Sequence, residues 1–173
     1  MPRVTFVKAA QKDNPVCSKG ESYYWWKFRF GGKRYSLTPP RSSQLTQSAY
    51  YGAVRGMCEQ IEDQFSAGLD VEGIESVTSD IGSQLEELGC EARESLENMP
   101  EGLQQGATGE LLEERATACE EAQGEVEGID IDFQSELDEE DEEVTDEDRD
   151  QEKQEWLDDI QNELTELVSN CEI

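Results

Sequence analysis

The stretch VEGIESVTSDIGSQLEELGCEARESLENM, residues 71–99, places Val71, Ile74, Thr78, Ile81, Leu85, Leu88, Ala92, Ser95 and Met99 at alternating intervals of three and four. That step keeps side chains on one stripe of an α-helix and is the spacing of a seam that meets a partner helix. Thr78 and Ser95 weaken the stripe, and Gly73, Gly82 and Gly89 lower the helix propensity around it. Downstream, Asn98-Met99-Pro100-Glu101-Gly102 is a turn signal, and Leu111, Leu112, Ala116, Cys119, Ala122 and Val126 give an apolar face to a second helix over 108–127. The connection is short, which predicts that the second helix folds back antiparallel on the first.

Beyond this hairpin, Ile129, Ile131 and Phe133 alternate with Asp130 and Asp132 and read as extended chain. Residues 136–152 hold twelve carboxylates and read as an acidic connector. A last helix over 150–170 recovers an apolar stripe at Leu157, Ile160, Leu164, Leu167 and Cys171, with Trp156 beside it. On the N-terminal side, Tyr23 to Phe30 is an aromatic-rich strand running into Gly31-Gly32, a dipeptide suited to a two-residue hairpin turn. That turn sets Arg29 opposite Arg34, Phe28 opposite Tyr35 and Trp26 opposite Leu37. It thereby sorts Tyr24, Trp26, Phe28, Phe30, Tyr35 and Leu37 onto one apolar side. Ser42 or Ser43 then caps a helix reaching Phe65, with Leu45, Tyr51, Val54, Cys58, Ile61 and Phe65 on its inner face.

The fold class expected is therefore α+β and mostly α. Residues 1–66 form a basic, aromatic β-hairpin plus helix, and 67–133 an acidic antiparallel helical bundle or coiled-coil-like region. Residues 134–152 are the connector and 153–173 a C-terminal amphipathic helix.

Charge is divided as sharply as pattern. Up to Met57 there are ten Lys/Arg against Asp13 and Glu21, a formal +8; from Cys58 onward Arg93, Arg115, Arg149 and Lys153 face forty carboxylates, a formal −36. Fields of this size govern partner choice and association rate, so recognition of charged macromolecules is the first function class implied. The chain has no histidine, which removes the usual imidazole acid/base, His-based nucleophilic dyads and most zinc sites. Neither GxSxG, a P-loop nor GxGxxG is present. No enzyme activity, cofactor or metal is expected; Asp130, Asp132 and the run 138–143 lack the glycine and spacing of a calcium loop. Cys17, Cys58, Cys90, Cys119 and Cys171 show no CxxC spacing and read as small buried hydrophobes. No apolar run has the length of a signal-peptide core or a membrane span, so a cytoplasmic protein without membrane contact is expected.

Two surfaces are candidates. On the hairpin, Trp25, Lys27, Arg29, Lys33 and Arg34 form a cationic, partly aromatic face. Two arginines directly opposed on a ribbon repel one another unless an anion lies between them or both splay into solvent. That anion is either nucleic-acid phosphate, with Trp25 stacking on a base, or a carboxylate of this chain or a partner. On the acidic part, the surface is carried by Glu86, Glu87, Glu91, Glu94, Glu113, Glu114, Glu139, Glu140, Asp141, Glu142, Glu143, Asp146, Glu147 and Asp148. Duplex DNA carries about one charge per 1.7 Å of axis and a helix rises about 1.5 Å per residue, so the acidic run approaches the charge density of DNA.

The segment SYYWWKFRFGGKRYS, residues 22–36, followed by PPRSSQLTQS, residues 39–48, resembles segments of uncharacterised small acidic proteins of tailed bacteriophages. The hairpin is also similar to the arm-type DNA-binding modules of tyrosine recombinases, although no catalytic domain accompanies it here. The first resemblance implies a phage accessory protein acting on host machinery. The function expected is that of a non-enzymatic inhibitor, in the manner of an anti-defence protein. Its acidic surface mimics DNA and occupies the basic, nucleic-acid-binding surface of a host or phage protein. The full-length chain is not expected to bind nucleic acid itself. The alternatives are a nucleic-acid-binding accessory protein using the basic hairpin, and a structural or assembly factor, or homodimer, pairing through its amphipathic helices.

Overall fold

A computed structural model describes residues 1–133 and 145–173 of the chain. It is an α+β structure, mostly helical, with β1 (Thr5–Val7), β2 (Tyr23–Lys27) and β3 (Lys33–Ser36) followed by α1 (Ala49–Ser66), α2 (Val71–Glu97), α3 (Glu101–Gln104), α4 (Ala107–Glu127) and α5 (Asp146–Ser169). Two compact units are formed, Met1–Gly56 and Met57–Ile173. The step in charge falls at the same place, since no charged residue separates Gly56 from Cys58.

In the first unit the strands form one antiparallel sheet of order β1-β2-β3. Its register corrects the expected one. Trp25 faces Tyr35, Trp26 faces Arg34 and Lys27 faces Lys33, so pairing stops before Phe28 and leaves Phe28 to Gly32 as the loop. Gly31 does adopt a positive φ, +148°, but a two-residue Gly-Gly turn would carry the pairing up to Phe30 opposite Lys33, and the ladder ends with Lys27 opposite Lys33. The wider loop is held instead by Gln47, whose Nε2 donates to the Phe30 carbonyl at 2.7 Å. An odd offset of three residues turns every β3 side chain to the opposite face. Arg34 thus lies on the face of Trp26, while Tyr35 joins Trp25. Leu37 and Phe30, expected on the apolar side, are 59 % and 74 % exposed. The buried apolar side chains of this unit are Ala10, Cys17, Trp26, Tyr50 and Val54.

Residues Ser42–Leu45 form a 3-10 turn and not the first turn of a long helix. The cap of α1 is Ser48, whose Oγ accepts from the Tyr51 N–H at 3.4 Å while its carbonyl accepts from Gly52 N–H at 3.0 Å. The buried stripe of α1 is Tyr50, Val54, Met57 and Ile61, with Tyr51, Cys58 and Phe65 only half-buried. The expected face was set about one position too far along the helix at its N-terminal end.

In the second unit, α2 and α4 make the main packing pair, and they run antiparallel as expected: Gly82 lies opposite Val126, and Gly89 opposite Cys119 and Ala116. Eight of the nine predicted seam positions fall within α2. Of these, Ile74, Thr78, Ile81, Leu85, Leu88 and Ala92 are buried, as are Ala116, Cys119, Ala122 and Val126 on α4. Gly82 and Gly89, read from sequence as interruptions, are themselves buried in the seam. A Cβ on Gly89 would sit 3.2 Å from Cys119 Cβ and 3.5 Å from the Ala116 carbonyl oxygen, so the missing side chain is what lets the two helices approach there. After α4, Ile129, Ile131 and Phe133 are half-buried and alternate with exposed Asp130 and Asp132; the Phe133 ring lies 5.2 Å from that of Trp156. Helix α5 begins at Asp146, four residues before the expected start, so the last part of the expected connector is helical. It buries Ile160, Leu164 and Val168, and Cys171 follows, also buried.

Candidate charged interfaces

The new register assembles a cationic face different from the expected one. Directly paired residues share a face and side chains alternate along each strand, so Tyr23, Trp25, Lys27, Lys33 and Tyr35 lie on one side of the sheet together with Thr5 and Val7. Arg29 and Arg34 are not opposed. Arg29 is in the loop with its guanidinium 5.3 Å from the Phe30 ring centre, and Arg34 lies 5.2 Å from the ring of Phe28. The like-charge pair is Lys27 and Lys33, both exposed at the end of the sheet. Lys33 Nζ sits 4.3 Å from the Trp25 ring centre, where the π-face partly compensates its charge. The Tyr23 and Tyr35 rings are 6.0 Å apart on the same face. Sequence reasoning placed Trp25, Lys27 and Lys33 correctly on one surface but missed Tyr23 and Tyr35. The parity of β3 depends on loop length, which Gly31-Gly32 suggested wrongly.

On the acidic unit, Glu86, Glu87, Glu91 and Glu94 are exposed on α2, and Glu113 and Glu114 on α4. Glu113 and Glu114 line a groove with Glu110, Glu121, Thr117, Ala118 and Ile173. Glu110 and Glu121 complete a helical stripe at intervals of three and four with Glu113, Glu114 and Thr117, a signal readable from spacing alone. Helices α2 and α4 together carry fifteen carboxylates, all exposed. Over the roughly 40 Å length of α2 this is about one per 2.7 Å, between a single DNA strand and the duplex. Within this field Arg93 forms an ion pair with Glu120, also exposed on both sides. Glu139, Glu140, Asp141, Glu142 and Glu143 lie outside the described residues.

Asp146, Glu147 and Asp148 occupy the first turn of α5, where negative charge favours the helix dipole. Asp148 has a structural task there. Its Oδ2 accepts from Thr145 Oγ1 at 2.7 Å and from the Thr145 N–H at 2.8 Å, while Thr145 Oγ1 accepts from the Asp148 N–H at 3.2 Å. These bonds hold its carboxyl below the ordinary Asp value. A depressed folded pKa contributes stability that is full above the unfolded value, about 3.9, and is lost as pH falls through the folded one. An NMR titration should therefore find the Asp148 carboxyl shifted down in the wild type and returned toward the ordinary value in Thr145→Ala. An unchanged titration in that variant would dismiss the cap as its cause.

Among the described residues, no group of three or more Cys, Asp or Glu side chains is arranged to hold a metal ion. No helix among them is long and apolar enough to cross a membrane. No protein-family model matches the chain, and neither does any curated protein or solved structure.

Proposed function

We propose that this chain is a non-enzymatic binding protein, of the kind phages use against host machinery, whose acidic helices stand in for DNA at a basic, nucleic-acid-binding surface of another protein. The observation that carries this reading is the antiparallel pair α2 and α4, with its fifteen exposed carboxylates at a spacing comparable to that of phosphates. Charge fixed on a folded scaffold is already ordered, so a partner that pairs with it avoids the entropy cost of ordering a flexible chain. Such binding weakens steeply with salt, because exposed charges are screened beyond about 10 Å at 0.1 M.

A second reading has one specific observation in its favour. Opposed Lys27 and Lys33 beside Trp25 make a face suited to phosphate and a stacked base. The formal net charge of −28 opposes it in the intact chain, since nucleic acid is repelled at any distance the solvent leaves unscreened.

One experiment separates the two. The full-length chain is used to capture proteins from a bacterial host lysate at low salt, and those released by high salt are assayed for DNA binding. On the first reading the captured protein loses DNA binding in the presence of the chain, and the variant Glu110→Lys/Glu113→Lys/Glu114→Lys/Glu121→Lys inhibits at least tenfold less well. The chain itself retains no labelled DNA. Equal inhibition by the variant would remove α4 from the interface. Tight DNA binding by the intact chain, lost in Lys27→Ala/Lys33→Ala, would replace mimicry with the second reading.

A further inference from the structure

We propose that Cys119 and Cys171 are a redox-sensitive thiol pair that closes to an intramolecular disulfide, fastening the end of α5 to the middle of α4. Both side chains are fully buried. Cys171 lies just past α5, and its Sγ is 3.6 Å from the carbonyl oxygen of Ala118, the residue before Cys119 on α4. The two thiols also share a hydrogen bond, which together with burial holds the Cys171 thiol well above the ordinary cysteine range. The sequence separates these cysteines by more than fifty positions and reads each as a small hydrophobe; the packing of α5 on α4 brings them together. Cys58 on α1 is the nearest competitor, but its Sγ lies 3.6 Å from Ser169 Oγ and it is only half-buried.

The oxidant is a low-molecular-weight disulfide such as glutathione disulfide. The Cys119 thiolate attacks one of its sulfurs, forming a mixed disulfide and releasing one glutathione thiolate. The Cys171 thiolate then attacks the Cys119 sulfur and releases the second. Two protein thiols lose two electrons and two protons, and one glutathione disulfide becomes two glutathione thiols. In the folded molecule the scarcity of thiolate makes this slow, because reaction waits for the end of α5 to lift. During folding it is unhindered. The bond closes a loop that includes all of α5, which restricts the unfolded chain and should raise the thermal midpoint of the acidic unit by about 10 °C.

The test uses the full-length chain, unfolded in guanidinium, refolded in a glutathione buffer, alkylated and digested with trypsin. Cleavage after Arg55, Arg93, Arg115, Arg149 and Lys153 puts Cys58, Cys119 and Cys171 into separate peptides, 56–93, 116–149 and 154–173. Mass spectrometry should find 116–149 joined to 154–173 as the main linkage. The thermal midpoint should exceed that of the reduced protein, with the difference abolished in Cys171→Ala and restored to the reduced value by dithiothreitol. The reduced wild type serves as reference if the variant folds poorly. Alkylated Cys119 and Cys171 in the refolded protein, a main linkage of 56–93 to 154–173, or a midpoint lowered by the bond would each overturn the proposal.

Discussion

Trp26→Ala should cost the N-terminal unit about 3–5 kcal/mol, the range for truncating a buried large aromatic. Trp26 is 3 % exposed, the most deeply buried aromatic in the chain, and the unit has only four other buried apolar side chains to share its load. A 56-residue unit with so small a core has little stability to lose, so the variant should leave β1 to β3 unprotected in hydrogen exchange. Trp25→Ala provides the control. Trp25 is half-buried and lies on the other face, against Lys33. Its removal forfeits part of its area and one cation–π contact, about 1 kcal/mol. Trp26→Phe should cost less than Trp26→Ala, since the indole Nε1 is buried with no hydrogen-bond partner and phenylalanine removes that unmet donor while keeping a ring. Equal losses of protection in the Trp25 and Trp26 alanine variants would mean that neither face of the sheet is the inner one.

The parts of this fold that the sequence reveals are those where one periodicity leaves no competitor. The seam of α2 and α4 is legible because Ile74, Ile81, Leu85, Leu88, Ala116, Cys119 and Val126 recur at helical spacing among carboxylates that have no reason to be inside. What was misread there is the glycines. Gly89 looks like a defect in propensity until α4 is known to approach it closely, whereas Gly82 is buried in the seam but a Cβ there would meet Val126 at an ordinary 3.9 Å. The sheet failed for a different reason: β2 was legible, but the face of each β3 residue hangs on whether the loop has an odd or even offset. Gly31-Gly32 is a strong local signal for a turn that Gln47, distant in sequence, helps to override. The early start of α5 was written in Thr145-x-x-Asp148, a capping-box spacing hidden inside a run of acids where most three-residue intervals end on a carboxylate. The candidate surfaces followed the same division. The acidic stripe could be read from composition and spacing, whereas the opposed Lys27 and Lys33 required the register.

Gly109→Ala and Gly124→Ala should change stability in opposite directions, although both replace glycine by the best helix former within the same helix. Helix propensity alone favours alanine by about 1 kcal/mol at an interior position, and at Gly124 nothing opposes it. That residue is exposed, and a Cβ there meets no atom within 4 Å. A gain of about 0.5–1 kcal/mol is expected. Gly109 is buried in the first turn of α4, where a Cβ would overlap the Gln104 carbonyl and lie 2.8 Å from Gln104 Cα. Main-chain atoms have less room to yield than the tip of a side chain. Gln104 is further pinned, its Nε2 donating to the Met99 carbonyl at 2.9 Å and its N–H to the Pro100 carbonyl at 3.2 Å. Relief therefore requires opening the α3–α4 corner, at a cost of about 3 kcal/mol for overpacking against a fixed neighbour. The clash exceeds the propensity gain, so Gly109→Ala should be destabilised by about 2 kcal/mol in urea titrations followed by far-ultraviolet circular dichroism. If Gly109→Ala is instead as stable as Gly124→Ala, the corner is loose, and the close approach of α3 to the start of α4 does not fix where the acidic face of α4 points.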